Sequence, residues 1–205
     1  MIDPHAILQS LARRRPIFHS EADFQHEFAW ELRLFHPQCD VRLEVPSFVD
    51  GVGTTDVVAR SDGRISGFEL KYLTRHYSIA LDGETYRLKN HGAHDLRRYD
   101  VVRDIQRMER FNWPDYGPSF VIALSNDPSY WNSARSDATI DSAFRLSEGR
   151  VVGGALAWAN HAGEGTIRKR EAPLNLRGQY AMNWRDYSTF SVRTGDFRYL
   201  CIPIP

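Results

Sequence analysis

The chain of 205 residues has little cysteine, no long apolar run and no excess of charge of either sign. Its two cysteines, Cys39 and Cys201, do not form a CxxC pair and are too few for a disulfide scaffold, which is typical of a reducing compartment. No apolar run approaches the roughly 18 residues that cross a bilayer, and the N-terminal stretch contains no apolar segment of the signal-peptide type. We therefore expect a soluble, cytoplasmic protein with no membrane partner.

Motifs of several enzyme classes are missing too. Gly51-Val52-Gly53 ends too soon for a GxGxxG fingerprint and no GxxxxGK[ST] segment occurs, so a nucleotide-driven enzyme is not expected. The eight histidines are scattered, without an HExxH motif. Lys plus Arg and Asp plus Glu number 26 each, so a polyanionic partner has to be held by a local patch rather than by net charge.

The composition that remains is that of a globular protein, with 42% hydrophobic and 25% charged residues. The length predicts one compact domain, or a domain with appendages. Residues 4–15 predict a short amphipathic helix that Pro16 closes. A second helix is predicted to begin after the N-cap Ser20 and to stop at Pro37, with an apolar stripe of phenylalanine and leucine between them.

A β-hairpin is the clearest strand signal. Residues 54–60 and 64–72 are rich in β-forming side chains and flank Asp62-Gly63, a strong hairpin turn. Further elements are predicted at 41–49 (an edge or bent strand interrupted by Pro46), 94–111 (a long helix), 119–124 (a buried strand) and 197–204 (a closing strand whose end frays at Pro203 and Pro205).

The remaining segments give weaker patterns. Within 73–93 the only assignment is a turn at Asp82-Gly83, and 129–195 carries no clear element. The order of the assigned elements predicts an α/β fold with a mixed central β-sheet flanked by helices, at least one on each side.

The hairpin brings acidic and basic residues to one face of the sheet. If Asp62 and Gly63 are the central residues of a type I′ turn, Asp56 faces Glu69 across the two strands. Lys71 points the same way as Glu69, because side chains alternate faces along a strand. Opposed Cβ atoms lie about 5 Å apart, close enough for two carboxylates to ligate one divalent cation. The alternative is a solvated hairpin face with a surface ion pair.

Asp56, followed after twelve residues by Glu69-Leu70-Lys71, resembles the active-site motif of the PD-(D/E)XK nuclease superfamily, which has the restriction-endonuclease-like fold. A helix carrying Glu21 precedes the motif, and a helix and a strand follow it, in the order of that family's core. Thr55 stands where the family motif has proline, a departure that many members of this divergent family share.

The resemblance implies a single nuclease-like domain over 1–205, with the restriction-endonuclease-like core at about 20–124 and a C-terminal β-rich extension at 125–205 that closes the sheet. It implies a metal-dependent endonuclease that hydrolyses phosphodiester bonds, with DNA as the expected substrate and RNA not excluded. Duplex cleavage would suit a homodimer. The alternatives are a catalytically silent nucleic-acid-binding or regulatory protein of the same fold, and an interaction domain without a nucleic-acid role.

The resemblance also implies a Mg²⁺ site, in which Mn²⁺ can substitute. Asp56, Glu69 and the backbone carbonyl of Leu70 would be its ligands, an all-oxygen set that suits a hard cation. Lys71 is expected to position or deprotonate the attacking water and to stabilise the transition state.

Three residues of the predicted second helix are candidates for the acid that this family places there. Glu21 is favoured because it lies just ahead of the apolar stripe, although an acid after an N-cap also serves the helix dipole. Glu31 projects close to the stripe, so it is expected to be partly buried and to need a partner, and Glu27 lies at the margin.

The predicted helix at 94–111 offers a basic patch. On a helical wheel, one face carries Val101, Val102, Ile105 and Met108. The opposite face carries Tyr99, Arg103, Gln106, Arg107 and Arg110, which we interpret as candidate nucleic-acid contacts. The alternative is a solvated face stabilised by pairs of Asp100 with Arg103 and Asp104 with Arg107.

Overall fold

In the computed structural model of the chain, residues 2–46, 53–61, 63–111, 117–134, 136, 138–191 and 195–205 are described. The helices are α1 (Pro4–Arg14), α2 (Glu21–Phe35), α3 (His94–Met108) and the short α4 (Glu164–Ile167). The strands are β1 (Asp40–Pro46), β2 (Thr54–Ser61), β3 (Arg64–Leu73), β4 (Tyr77–Leu81), β5 (Glu84–Leu88), β6 (Ser119–Ser125), β7 (Val151–Leu156), β8 (Leu174–Ala181), β9 (Trp184–Thr189) and β10 (Asp196–Ile204). None of the helices within these described ranges is long and apolar enough to span a membrane.

Six strands form the central sheet in the order β1-β2-β3-β6-β10-β9. β3 and β6 run parallel and the other neighbours antiparallel, so the sheet is mixed. Phe120, Ile122 and Leu124 of β6 lie in an apolar cluster with α1 and α2. Val121 and Ala123, which alternate with them, lie in a second cluster with α3. The predicted α/β class, with helices on both faces of a mixed sheet, is confirmed.

The helix boundaries follow local signals. α2 begins after Ser20, whose hydroxyl accepts the N–H of Asp23 at 3.2 Å, and ends two residues before Pro37, as predicted. α3 ends earlier than the predicted 111. The N–H groups of Arg110 and Phe111 bond to carbonyls three residues back instead of four, which tightens the chain out of α-helical geometry.

β2 and β3 form the predicted hairpin. Their residues pair in the predicted register as far as Val57↔Phe68. Gly63 has a φ of +73°, in the left-handed region that a two-residue type I′ turn requires. Asp62 lies outside the described residues.

The edges of the sheet agree with the sequence in part. β1 is an edge strand, as expected for 41–49, of which 47–49 lie outside the described residues. The predicted fraying of the last strand is wrong, because Pro203 pairs with Phe120 and Ile204 is fully buried. β9 pairs with β10 only as far as Leu200, so Pro203 lies where β10 has no second neighbour among the described strands and a missing N–H is tolerated.

The segments without a clear pattern contain further strands. β4 and β5 form a hairpin whose turn is the predicted Asp82-Gly83, with φ values of 50° and 84°. Over 129–195 the chain forms the β7–β8 ribbon, which packs against α3, and β9, which extends the central sheet beside β10.

Candidate functional site

The candidate site lies where β2 separates from β3. The β2–β3 ladder stops at Val57↔Phe68, while β2 stays paired with β1 through Val45↔Thr55. The predicted backbone pair of Asp56 and Glu69 is therefore not part of the ladder.

Two carboxylates take the place of the missing strand partner. Asp56 Oδ2 accepts the N–H of Leu70 at 2.7 Å, and Glu21 Oε2 accepts the N–H of Tyr72 at 2.8 Å. The N–H and C=O of one strand residue face the same neighbour, so the carbonyl of Leu70 opens on this gap as well. It accepts a hydrogen bond from Lys71 Nζ at 3.3 Å.

Lys71 is held among carboxylates. Its Nζ lies 3.2 Å from Asp104 Oδ2 and 4.0 Å from Glu21 Oε1. Burial lowers the pKa of Lys71, but the charges of Asp104, Glu21, Asp56 and Glu69 together outweigh burial and raise it. Lys71 is therefore an ammonium at neutral pH, suited to donate hydrogen bonds and to stabilise negative charge.

Glu69 is buried beside two other acids and is only 1% exposed. Burial and the charges of Asp56 and Asp104 raise its pKa to about 9, against the opposing effects of Arg107 and Lys71. Arg107 Nη2 lies 3.4 Å from Glu69 Oε1. Without a further cation, Glu69 is protonated at neutral pH.

Asp56 is also buried. Burial raises its pKa more than Lys71 and the Leu70 N–H lower it. The charges of Asp56 and Asp104 thus both oppose ionisation of Glu69, and a bound cation would stabilise the ionised forms of Asp56 and Glu69.

Asp104 was not among the site residues proposed from the sequence. Its pairing with Arg107, expected from their spacing, is present at 2.9 Å, but its other oxygen contacts Lys71. The sequence carries a signal for this position, since Asp104 is three residues after the core residue Val101 and four before Met108. An acid on the apolar side of a helix needs a buried partner.

The structure separates the three candidate helix acids. Glu21 lies beside Lys71. Glu31 is buried, as expected, and bonds to Arg14 of α1 at 2.9 Å. Glu27 pairs with the same arginine at 2.9 Å, so both Glu27 and Glu31 join α2 to α1 rather than face the site.

The predicted basic face of α3 is divided among different surroundings. Its members lie as follows: Tyr99 is buried, Arg103 pairs with Asp100 at 3.2 Å, Gln106 donates to the carbonyl of Asn175 at 3.3 Å, Arg107 contacts Glu69 and Asp104, and Arg110 is exposed. The placement of Tyr99 on a solvent face is wrong, because its ring stacks on Trp158 at 5.4 Å. That partner lies in the segment to which the sequence assigned no element.

The donor set fits a hard divalent cation. Within the residues that the structure describes, no three His, Cys, Asp or Glu side chains converge as a ready-made metal cage. Mg²⁺ is commonly held by only one or two carboxylates together with water and substrate phosphate. Asp56, Glu69 and the Leu70 carbonyl, all oxygen donors around one gap, match that requirement.

Comparison with protein-family models, curated proteins and solved structures finds no significant match.

Proposed function

We propose that this protein is a metal-dependent nuclease with a restriction-endonuclease-like core that hydrolyses phosphodiester bonds in DNA. The supporting observation is the gap beside β3, where the acids Asp56 and Glu69, the carbonyl of Leu70 and the ammonium of Lys71 lie together. Oxygen ligands for a divalent cation and a fixed positive charge are the parts that phosphodiester hydrolysis requires.

Asp56, Glu69 and the Leu70 carbonyl would hold Mg²⁺ or Mn²⁺. When bound, the cation would lower the pKa of a water molecule and offset charge on the scissile phosphate. Glu69 would lose its proton when it binds the cation, because a carboxylate ligates a metal in its ionised form. Its pKa of about 9 results from burial and from the neighbouring carboxylates, whose effect the charge of the cation would offset.

Lys71 would position the attacking water and stabilise the charge that develops on the phosphate. Its raised pKa favours this role over deprotonation of the water, because a base must first release its own proton. Glu21 and Asp104, 4.0 Å and 3.2 Å from Nζ, are positioning residues that direct the ammonium.

A catalytically silent nucleic-acid-binding protein of the same fold is the second candidate. The observation in its favour is the ion pair of Lys71 with Asp104, which engages the amine that catalysis would use. In a nuclease, this ion pair orients Lys71, and the other N–H groups of the ammonium bind the substrate phosphate.

Supercoiled plasmid DNA separates the two. The nuclease proposal expects nicking or linearisation with Mg²⁺ or Mn²⁺ and none in EDTA. Glu69→Gln should lose the activity, while Asp186→Asn, which changes a carboxylate that is 90% exposed on β9, should keep it. Intact plasmid with both cations, together with DNA binding, would establish the silent binder instead.

A further inference from the structure

A polar pocket, distinct from the gap beside β3, adjoins the candidate site at Glu21. Its volume is about 360 Å³, and its walls come from the start of α2, the end of β3 and the segment from β5 to α3. The titratable residues that line it, besides the buried Tyr72, are His19, Glu21, Arg87, Lys89, His91 and Arg97. Cations therefore outnumber acids in this pocket, in a chain whose charges balance as a whole.

Three of these cations have no partner within the described part of the chain. The side chains of Arg87, Lys89 and Arg97 are exposed and form no hydrogen bond or ion pair with any residue that the structure describes. His19 differs, because it pairs with Glu84 at 3.4 Å and stacks on Tyr86. By contrast, Arg103 and Arg107 of the predicted basic face form ion pairs with acids of their own helix, α3.

The acid that lines the pocket, Glu21, is already occupied. It accepts the Tyr72 N–H through Oε2, and its Oε1 lies 4.0 Å from Lys71 Nζ. Its charge also acts on His91 of the pocket. Against this one lining acid stand the cations Arg87, Lys89 and Arg97, so the pocket presents a net positive surface beside the candidate site.

The pocket is also held in shape. Thr74, which follows β3, donates through Oγ1 to the carbonyl of Lys89 at 2.7 Å. Its carbonyl accepts the N–H of His91 at 2.8 Å, and its own N–H bonds to the His91 ring at 3.3 Å. Arg87 belongs to β5 and Arg97 to α3, so the backbone that carries these two cations is already ordered in the free protein. Binding therefore loses less conformational entropy.

We propose that this pocket binds a backbone phosphate of the DNA strand, next to the phosphodiester held at Asp56, Glu69 and Lys71. Arginine forks match phosphate oxygens bidentately, and lysine adds a point charge. The pocket and the candidate site share Glu21 and the backbone at Tyr72, so a strand in one reaches the other. The inference rests on the proposed function for its substrate, and its test does not depend on cleavage.

The test measures binding of a fluorescein-labelled DNA duplex by anisotropy in EDTA, where no cleavage takes place. The variant Arg87→Gln/Lys89→Gln/Arg97→Gln should bind about tenfold or more weakly. Its plot of log affinity against log salt should flatten by about 0.9 for each phosphate that the variant no longer neutralises. The matched control, Arg13→Gln/Arg33→Gln/Lys169→Gln, removes the same charge from exposed positions outside the pocket and should keep the parent slope. Circular dichroism verifies that both variants are folded.

Equal losses of affinity in the two triple variants, or an unchanged slope in the pocket variant, would overturn the pocket proposal. Competition by polyglutamate as effective as competition by unlabelled DNA would also overturn it, in favour of an acidic protein partner. If the parent protein cleaves DNA and the pocket variant binds DNA as tightly as the parent, the pocket proposal is wrong and the nuclease proposal stands. If the pocket variant binds DNA more weakly but the parent protein does not cleave DNA, the nuclease proposal is wrong and the pocket proposal stands.

Discussion

Glu21 on α2 accepts a hydrogen bond from the backbone N–H of Tyr72 on β3 at 2.8 Å. Asp56 does the same for Leu70 at 2.7 Å. In both cases a carboxylate takes an N–H that β2 no longer pairs, so the backbone stays satisfied while the strands separate. The two acids thus satisfy the edge of β3 on either side of the Leu70 carbonyl, where β2 no longer pairs with it.

Binding of Mn²⁺ should depend on both proposed carboxylate ligands. Asp56→Asn and Glu69→Gln each remove a charged oxygen donor and should weaken the affinity measured by calorimetry at least about tenfold. Asp186→Asn serves as the control, because this carboxylate is exposed. Parent-like affinity in both site variants, with the fold intact, would remove the metal site.

The stability of the metal-free protein should depend on pH through Glu69. Its pKa is about 9 in the folded protein and 4.5 ordinarily, so between these values the folded state holds a proton that the unfolded chain has released. The free energy of unfolding therefore falls as pH rises through this window. Glu69→Gln removes this effect, so at about pH 8 its free energy of unfolding should exceed that of the parent by at least about 1 kcal/mol.

Urea denaturation at several pH values measures this difference, with Glu164→Gln on the exposed start of α4 as the control. The control should follow the parent at every pH. Parallel pH profiles for parent and Glu69→Gln would show that Glu69 does not hold a proton in the folded state.

Local signals predicted more of this molecule than long-range contacts did. The hairpin register follows from the turn chemistry at Gly63 and the alternation of side chains, both of which are readable in sequence. The absence of the ladder pair between Asp56 and Glu69 was not readable, because it depends on the side chain of Asp56 turning to the Leu70 N–H. A helical wheel likewise cannot show that Tyr99 packs against Trp158, because a wheel includes only residues of the helix itself.

Tyr99 should behave as a core residue rather than as a DNA contact. Its ring packs against both Trp158 and Phe144, which also contact each other, so Tyr99→Ala should lower the free energy of unfolding by about 3–5 kcal/mol. Tyr99→Phe keeps the ring and should leave both stability and DNA affinity near those of the parent. Denaturant titration and anisotropy measure the two quantities. A specific loss of DNA affinity in the folded Tyr99→Phe protein would restore the nucleic-acid role.

The contribution of Lys71 should lie in catalysis rather than in binding. Its ammonium, 3.3 Å from the Leu70 carbonyl, would act on the attacking water and on charge present only in the transition state. Lys71→Ala should therefore lower the cleavage rate by about 10²- to 10³-fold and leave Mn²⁺ affinity and most DNA affinity in place. Lys169→Ala, which removes an exposed ammonium after α4, should cleave like the parent. If supercoiled DNA is cut equally fast by the Lys71→Ala and parent proteins, the catalytic assignment of Lys71 is wrong, whatever the metal and DNA affinities prove to be.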